Sequence, residues 1–185
     1  FGTMHILNSK KGTYFLADTL INRHPDTDTL IDLARLSEQT VRFFNHEPVM
    51  AMLSYSNFGS DTTGSPANVH KAVEYMQANY PDLAIDGEMQ VNFAINDKLR
   101  DKKYPFTRLF GKEVNTLVFP NLSSANAGYQ LLQAMNGDDM ELIGPIQMGL
   151  NKPIHFTDFE SSVRDIVNIT AVAVIDAIVM KKKNQ

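Results

Sequence analysis

The residues best suited to chemistry lie in three polar segments, residues 54–65, 86–90 and 121–128, each of which follows an apolar run. Hydroxyl and amide groups beside the free N–H groups of a helix start favour the binding of an anionic group. A lysine in a later loop adds a positive charge. The candidate ligand-binding residues are Ser54, Ser56, Asn57, Gly59, Ser60, Asp86, Glu88, Asn121, Ser124, Asn126 and Lys152.

The segment at residues 121–128 is the one around which we organise the chain. A β-branched apolar run at residues 114–119 precedes it, and Pro120 ends that run, as is typical of a buried strand. Apolar residues at helical spacing follow it up to Met135. The polar cluster therefore lies where a strand leads into a helix N-terminus. Either it binds an anion, or Ser123 or Ser124 only caps the helix.

The two carboxylates Asp86 and Glu88 also allow two interpretations. They are suited to acid–base work or to Mg²⁺ binding. Alternatively, Asp86 caps a helix and Glu88 is an acid of its first turn. Lys152 either neutralises a phosphate or is simply solvated. The sequence has no cysteine and no HxxxH spacing among its five histidines, so we predict no metal site.

Composition limits the class of partner. The net charge of -4 provides no basic field, so we expect no nucleic acid partner. The longest apolar run, residues 166–180, contains Asn168, Thr170 and Asp176 and is not expected to span a membrane. The absence of cysteine fits a reducing compartment, and we expect a cytoplasmic location.

The elements that must position these residues alternate between strands and helices. We predict a hairpin of strands at residues 4–7 and 13–21, a helix starting at Asp26 or Thr27, and a strand after Pro48. Ser65 is predicted to cap the next helix, with Pro66 at its first position. Further strands are predicted near residues 84–85, 114–119, 143–148 and 153–156.

This alternation predicts an α/β protein with a layered α/β/α arrangement around a largely parallel sheet. Ligands of such sheets bind beyond the carboxyl ends of the strands, so the three polar loops should converge on one edge. The last helix should start after Ser162, with Asp165 in the acidic position of a capping box.

Five sequence blocks carry a specific resemblance. They are MLSYSNFGS at residues 52–60, DGEMQ at 86–90, VFPNLSSANAGYQLLQ at 118–133, GPIQMGLNKPIHF at 144–156 and SVRDIVNITAVAVIDA at 162–177. In this order they resemble the phosphate acetyltransferase and phosphate butyryltransferase family. More narrowly, they are similar to the form that is fused to the C-terminus of large bacterial malic enzymes. The chain resembles only the C-terminal part of the family domain, residues 1–185. We expect the N-terminal part and the malic-enzyme catalytic region to be absent.

The resemblance implies an isocitrate and isopropylmalate dehydrogenase-like fold, two lobes around a cleft and a dimer. Active members move an acetyl group between coenzyme A and phosphate. The family's proposed base for the coenzyme A thiol matches Asp165, but Asp158 and Phe159 replace a Ser-Arg pair of the active enzymes. This replacement removes groups that stabilise an anion. We therefore favour a structural role for Asp165 at the helix start.

The leading hypothesis is a phosphotransacetylase-like C-terminal domain of an NAD(P)-dependent malic enzyme, catalytically degenerate and acting in acetyl-CoA sensing and oligomer assembly. The expected partners are its own malic-enzyme catalytic domain, further copies of the chain, and an acyl-CoA. No cofactor is expected in this chain, whereas the parent would use NAD(P) and a divalent metal. The alternatives are an active phosphate acyltransferase and a pure dimerisation module.

Overall fold

The computed structural model describes residues 1–135, 140–157 and 159–183 of the chain. Within these residues the strands are β1 (Gly2–Ser9), β2 (Gly12–Ala17), β3 (Val49–Leu53), β4 (Ala84–Met89), β5 (Thr116–Val118) and β6 (Met140–Met148). The helices are α1 (Thr27–Phe43), α2 (Gly64–Asn79), α3 (Val91–Ile95), α4 (Asp97–Lys103), α5 (Leu122–Ala134) and α6 (Val163–Lys183).

The strands form one sheet in the order β4-β3-β5-β2-β1-β6. The four strands from β4 to β2 are parallel, whereas β1 runs antiparallel to both of its neighbours, β2 and β6. The tight connection between β1 and β2 imposes this reversal, because a short hairpin joins only antiparallel strands. The predicted hairpin and the largely parallel α/β sheet are both confirmed.

The helices cover both faces of the sheet. Strand β3 explains why, since Met50 and Met52 pack on one face and Ala51 and Leu53 on the other. Helices α1 and α2 lie on the first face, and α6 packs on the same side as α1. Helices α3 and α5 lie on the opposite face. A sheet buried on both faces requires apolar residues at successive strand positions, and β3 has them.

Several predicted boundaries are wrong, each for a local reason. Strand β2 ends at Ala17 rather than at residue 21, because the polar residues that follow it form a separate loop. Strand β4 extends to Met89, so neither Asp86 nor Glu88 lies at a helix start. Residues 153–156 add no strand.

The helix starts follow the predictions only in part. Asp26 caps α1, and its Oδ1 accepts a hydrogen bond from the N–H of Thr29 at 2.9 Å, as expected. Helix α2 starts two residues earlier than predicted, with Thr63 rather than Ser65 at the N-cap position. Asn121 caps α5 and accepts the N–H of Ser124 at 2.9 Å, so the cap is neither of the two serines proposed for it.

Candidate functional site

The carboxyl ends of β4, β3, β5 and β2 lie side by side at one edge of the sheet. The polar segments at residues 54–65 and 121–128 follow β3 and β5, whereas residues 86–89 form the end of β4 itself. Their convergence on this edge follows from the strand order. A fourth loop, residues 18–26 after β2, lies beside them. This edge is the candidate ligand site, because ligands of open α/β sheets bind beyond the strand ends.

The loop after β3 is held down by Glu88 of the neighbouring strand. The Oε1 atom of Glu88 accepts hydrogen bonds from the hydroxyl of Ser56 at 2.7 Å and from the N–H of Gly59 at 2.7 Å. Its backbone carbonyl accepts the N–H of Phe58 at 2.8 Å. Glu88 and Ser56 are both buried. They therefore act inside the loop, beneath the surface that a ligand would meet.

The polar side chains of this loop also bind its own backbone. The hydroxyl of Ser60 accepts the N–H of Asn57 at 2.9 Å, and the hydroxyl of Ser54 accepts the N–H of Ser56 at 3.1 Å. Asn57 in turn accepts the N–H of Gln90 at 2.9 Å, which joins the loops after β3 and β4. Of the five loop residues predicted to bind ligand, Gly59 and Ser60 are exposed to solvent.

Asp86 and Glu88 lie two positions apart in β4, where the pairing with β3 has a bulge, and they serve different regions. One Asp86 oxygen accepts the amide of Gln77 at 3.0 Å, and the other accepts the hydroxyl of Thr107 at 2.6 Å and the N–H of Arg108 at 2.8 Å. Asp86 therefore links α2 to the segment that follows α4. In the described part of the chain, no three His, Asp or Glu side chains are grouped as a metal site requires.

At the start of α5, the helix cap occupies part of the predicted anion site. Asn121 accepts the N–H of Ser124, and the hydroxyl of Ser124 donates to the carbonyl of Asn121 at 2.9 Å. Ser124 and Asn126 are both partly exposed. Both side chains thus remain within reach of solvent at the helix N-terminus.

Sequence reasoning missed Asp18, the most densely bonded carboxylate at this edge. Its Oδ1 accepts the N–H of Thr3 at 2.8 Å and the hydroxyl of Thr3 at 2.6 Å. Its Oδ2 accepts the N–H of Asn22 at 2.8 Å and the side-chain amide of Asn22 at 2.6 Å. The signal was present as a polar DxxxN spacing directly after an apolar strand, but residues 13–21 were interpreted as one strand.

His5 lies beside this carboxylate and was also missed as a site residue. Its Nδ1 lies 2.8 Å from the hydroxyl of Thr19, and its ring stacks on Tyr129 of α5 with centroids 4.1 Å apart. Burial lowers the pKa of His5 from 6.5 to about 4, because desolvation penalises the charged ring. His5 is therefore neutral at physiological pH and connects β1 to α5.

A family model described as Phosphate acetyl/butaryl transferase matches residues 1–174 of the chain. The chain belongs to this family. The match covers all four loops of the candidate site, and it confirms the resemblance drawn from the five sequence blocks.

Relatives of two kinds share the phosphate acetyl/butyryltransferase sequence. The NADP-dependent malic enzyme of Escherichia coli (strain K12) is 38% identical over 176 residues, which are 95% of this chain and 23% of that protein. The phosphate acetyltransferase of Clostridium acetobutylicum is 39% identical over 169 residues, which are 91% of this chain and 50% of that protein. The chain thus spans about a quarter of the first relative and half of the second.

Solved structures of the family have the same fold. A phosphotransacetylase from Streptococcus pyogenes superposes with a TM-score of 0.86 at 33% identity, over 96% of this chain and 54% of that one. The EutD phosphotransacetylase from Staphylococcus aureus gives a TM-score of 0.85 at 30% identity, over 95% of this chain and 54% of that one. The phosphotransacetylase fold is therefore confirmed.

Asp165, which the resemblance matches to the family's proposed base, is part of a helix cap. Asp165 Oδ2 accepts the N–H of Ser162 at 2.8 Å and its hydroxyl at 2.7 Å, and the N–H of Asp165 donates to the same hydroxyl oxygen at 3.2 Å. The predicted capping box is confirmed. Of the two residues expected from the resemblance to replace a Ser-Arg pair, Phe159 is fully exposed and Asp158 lies outside the described residues.

Lys152 is not brought to the polar loops. It is exposed and lines a cavity of about 230 Å³ between α1, the end of β6 and α6, together with His155 and Asp176. Strands β2 and β1 separate β6 from β5 in the sheet. Burial lowers the pKa of His155, and the nearby charge of Asp176 opposes this shift.

In the part of the chain that the structure describes, no helix is long and apolar enough to cross a membrane.

Proposed function

We propose that this chain is the phosphotransacetylase-like domain of an NAD(P)-dependent malic enzyme, and that it binds acetyl-CoA as a regulatory ligand without transferring its acetyl group. The proposal assigns ligand binding to the carboxyl edge of the parallel strands. The groups open to solvent there are the exposed Gly59 and Ser60 after β3 and the partly exposed Ser124 and Asn126 at the start of α5. Lys152, at the β6 side, would meet a more distant part of the ligand.

The proposed loss of acyl transfer rests on the hydrogen bonds that hold Asp165 in the helix cap. A general base must be free to take the thiol proton and must lie within hydrogen-bond reach of it. Both hydrogen bonds that Ser162 donates go to Asp165 Oδ2, which commits that oxygen to the cap. The sequence also lacks the guanidinium that would meet a phosphate, since Phe159 stands in its place.

Regulation by acetyl-CoA has a chemical rationale. A malic enzyme converts malate to pyruvate, and acetyl-CoA lies downstream of pyruvate, so inhibition through this domain would be feedback by an end product. Such inhibition requires acetyl-CoA to bind two conformations of the intact protein unequally. The nicotinamide cofactor and the divalent metal would bind in the malic-enzyme region rather than here.

The proposal includes assembly with the malic-enzyme region and with further copies of the chain in the cytoplasm. Supporting it is an exposed apolar surface on α6, where Val167, Val174 and Ile178 are each at least half exposed. Contiguous exposed apolar surface of this kind favours a protein partner.

An active phosphate acyltransferase is the second candidate function. It is favoured by the 39% identity to a phosphate acetyltransferase and by Asp165, which keeps its carboxylate and is partly exposed. In this case the carboxylate would leave the cap during turnover, and other residues would replace the missing Ser-Arg pair.

One experiment on the intact protein separates these functions. Arsenate-dependent breakdown of acetyl-CoA is measured beside a genuine phosphotransacetylase, and malate decarboxylation is measured with and without acetyl-CoA. We expect no breakdown of acetyl-CoA and a clear inhibition of decarboxylation. Turnover well above background would replace the regulatory proposal with the acyltransferase. A protein with neither turnover nor inhibition would contradict both.

A charge substitution locates the ligand. Ser60→Asp places a carboxylate in the exposed loop, where it repels the phosphate groups of acetyl-CoA, and it should weaken inhibition by roughly tenfold or more. Asn79→Asp makes the same charge change at the C-terminal end of α2, toward the opposite edge of the sheet, and should leave inhibition unchanged. Equal inhibition in the wild type and Ser60→Asp would place the ligand elsewhere.

A further inference from the structure

We propose that Glu88 is a positioning residue of the acyl-CoA site: it never contacts the ligand and instead fixes the loop after β3 in the conformation that binds. This inference rests on the proposed function and adds a role within that site. It also replaces the expectation that Glu88 binds the ligand directly. A carboxylate with 0% exposure has no surface to offer to a ligand.

The contacts of Glu88 all serve to hold this loop in place. The Oε1 atom holds Ser56 and Gly59, and the backbone carbonyl holds Phe58. The Oε2 atom lies 3.0 Å from Nδ1 of His70 on α2. One residue thus joins β4, the loop and the helix that follows the loop. Because charge-assisted hydrogen bonds are the stronger kind, this carboxylate is the main anchor of the loop.

The loop needs such an anchor because its backbone is unfavourable at Phe58, whereas glycine adopts a positive φ readily. Phe58 has φ 48° and Gly59 has φ 85°, both in the left-handed region. A side chain at Phe58 disfavours that region by roughly 1–2 kcal/mol. The N–H groups of these same two residues are the ones that Glu88 accepts. Glu88 therefore stabilises the left-handed backbone conformation at the residues that adopt it.

The side-chain chemistry around Glu88 allows a conservative substitution. A glutamine has one amide oxygen, which can accept the bonds of Ser56 and Gly59, and one amide nitrogen, which can donate to unprotonated Nδ1 of His70. Glu88→Gln should therefore keep the loop in place. Glu88→Ala leaves the donors of Ser56 and Gly59 without their acceptor, which is costly inside a protein.

The chain itself provides a matched control. Asp86 lies two residues earlier on the same strand, and it is also a buried carboxylate with several hydrogen bonds. Its partners Gln77, Gly87, Thr107 and Arg108 all lie outside the loop after β3. Asp86→Ala therefore destabilises the fold in a comparable way without removing the anchor of the loop.

The test uses the intact protein and two measurements. Hydrogen exchange reports the Gly59 amide without ligand, and calorimetry gives the Kd for acetyl-CoA. In Glu88→Ala we expect both the exchange rate and the Kd to rise roughly tenfold or more. In Glu88→Gln both should stay within about threefold of the wild type. Asp86→Ala should lower the melting temperature but leave both loop exchange and Kd near the wild-type values.

Each contrary result has a distinct meaning. A wild-type Kd in Glu88→Ala, or an equal rise in Kd in Asp86→Ala, would overturn the positioning role. A wild-type protein that gives no heat with acetyl-CoA would overturn the proposed function and this inference with it, and the exchange rates would then measure the anchor alone. If Glu88→Ala does not fold, Glu88→Asp keeps the charge but withdraws it by one methylene and provides the same test.

Discussion

The carbonyl oxygen of Asn22 accepts a hydrogen bond from the N–H of Leu122 at 3.0 Å, which joins the loop after β2 to the first turn of α5. Asn22 is itself held by Asp18 through two hydrogen bonds, and Asp18 also holds the start of β1 at Thr3. A buried carboxylate thus links three elements at the candidate site. The position of the α5 N-terminus depends on it.

Asp18→Ala should therefore be strongly destabilising. The substitution leaves the four donors of Thr3 and Asn22 without their acceptor, and we expect a loss of about 3 kcal/mol in the free energy of unfolding. Urea unfolding followed by circular dichroism measures it. The exposed Asp82→Ala serves as the control, with an expected change within about 0.5 kcal/mol. Equal stability of the two variants would contradict the role of Asp18.

His5 should make stability depend on pH. Its pKa is lowered from 6.5 to about 4 in the folded state, so below pH 6.5 the unfolded chain binds a proton that the folded protein excludes. Stability should be full above pH 6.5, fall between pH 6.5 and about 4, and lose roughly 3 kcal/mol from this group in total.

The pH prediction for His5 is checked by urea unfolding across this range. In His5→Asn the part of the pH dependence due to this ring should disappear, whereas the exposed His24→Gln should retain it. A wild-type curve and a His5→Asn curve of the same shape would show that the ring titrates as freely in the fold as in the unfolded chain.

Ser162 and Asp165 should be coupled energetically. The carboxylate of Asp165 accepts the N–H and the hydroxyl of Ser162, and the hydroxyl oxygen of Ser162 accepts the N–H of Asp165. The single variants Ser162→Ala and Asp165→Ala should therefore each lower the free energy of unfolding by about 1 kcal/mol. The double variant should cost clearly less than the two losses added together, because the second substitution finds the bond already broken. Strict additivity in a double-mutant cycle would contradict the capping box.

Gly87→Ala should disrupt the junction of β4 and β3. A methyl group at Gly87 would lie 2.5 Å from the carbonyl oxygen of Met52, and the residue has φ 148°. We expect a loss of more than about 3 kcal/mol. Gly12→Ala is the matched control, since Gly12 has φ 132° but no atom within 4 Å of the added methyl, and it isolates the backbone cost of roughly 1–2 kcal/mol. Thermal unfolding of both variants decides whether the close contact matters.

Local sequence signals predicted the loops and helices better than they predicted the hydrogen bonds between different elements. Asp26 at the start of α1 and the pair Ser162 and Asp165 at the start of α6 were identified correctly, because a helix cap involves residues only three positions apart. One of the two interpretations of Asp86 and Glu88 placed them at a helix start, because two acids before an apolar run are typical of one. The parallel pairing of β3 with β4 extends the strand through both.

The sequence alone determined the fold class and the order of the loops, because apolar periodicity and turn residues act over short distances along the chain. The family followed from the resemblance of five sequence blocks. Only the tertiary structure decided which side chains serve the site. Glu88 reaches Ser56, 32 residues away, because β3 and β4 are neighbours. Asp18 reaches Thr3 because the antiparallel register pairs Met4 with Ala17. Contacts of this kind depend on strand order and register, which single positions in a sequence do not specify.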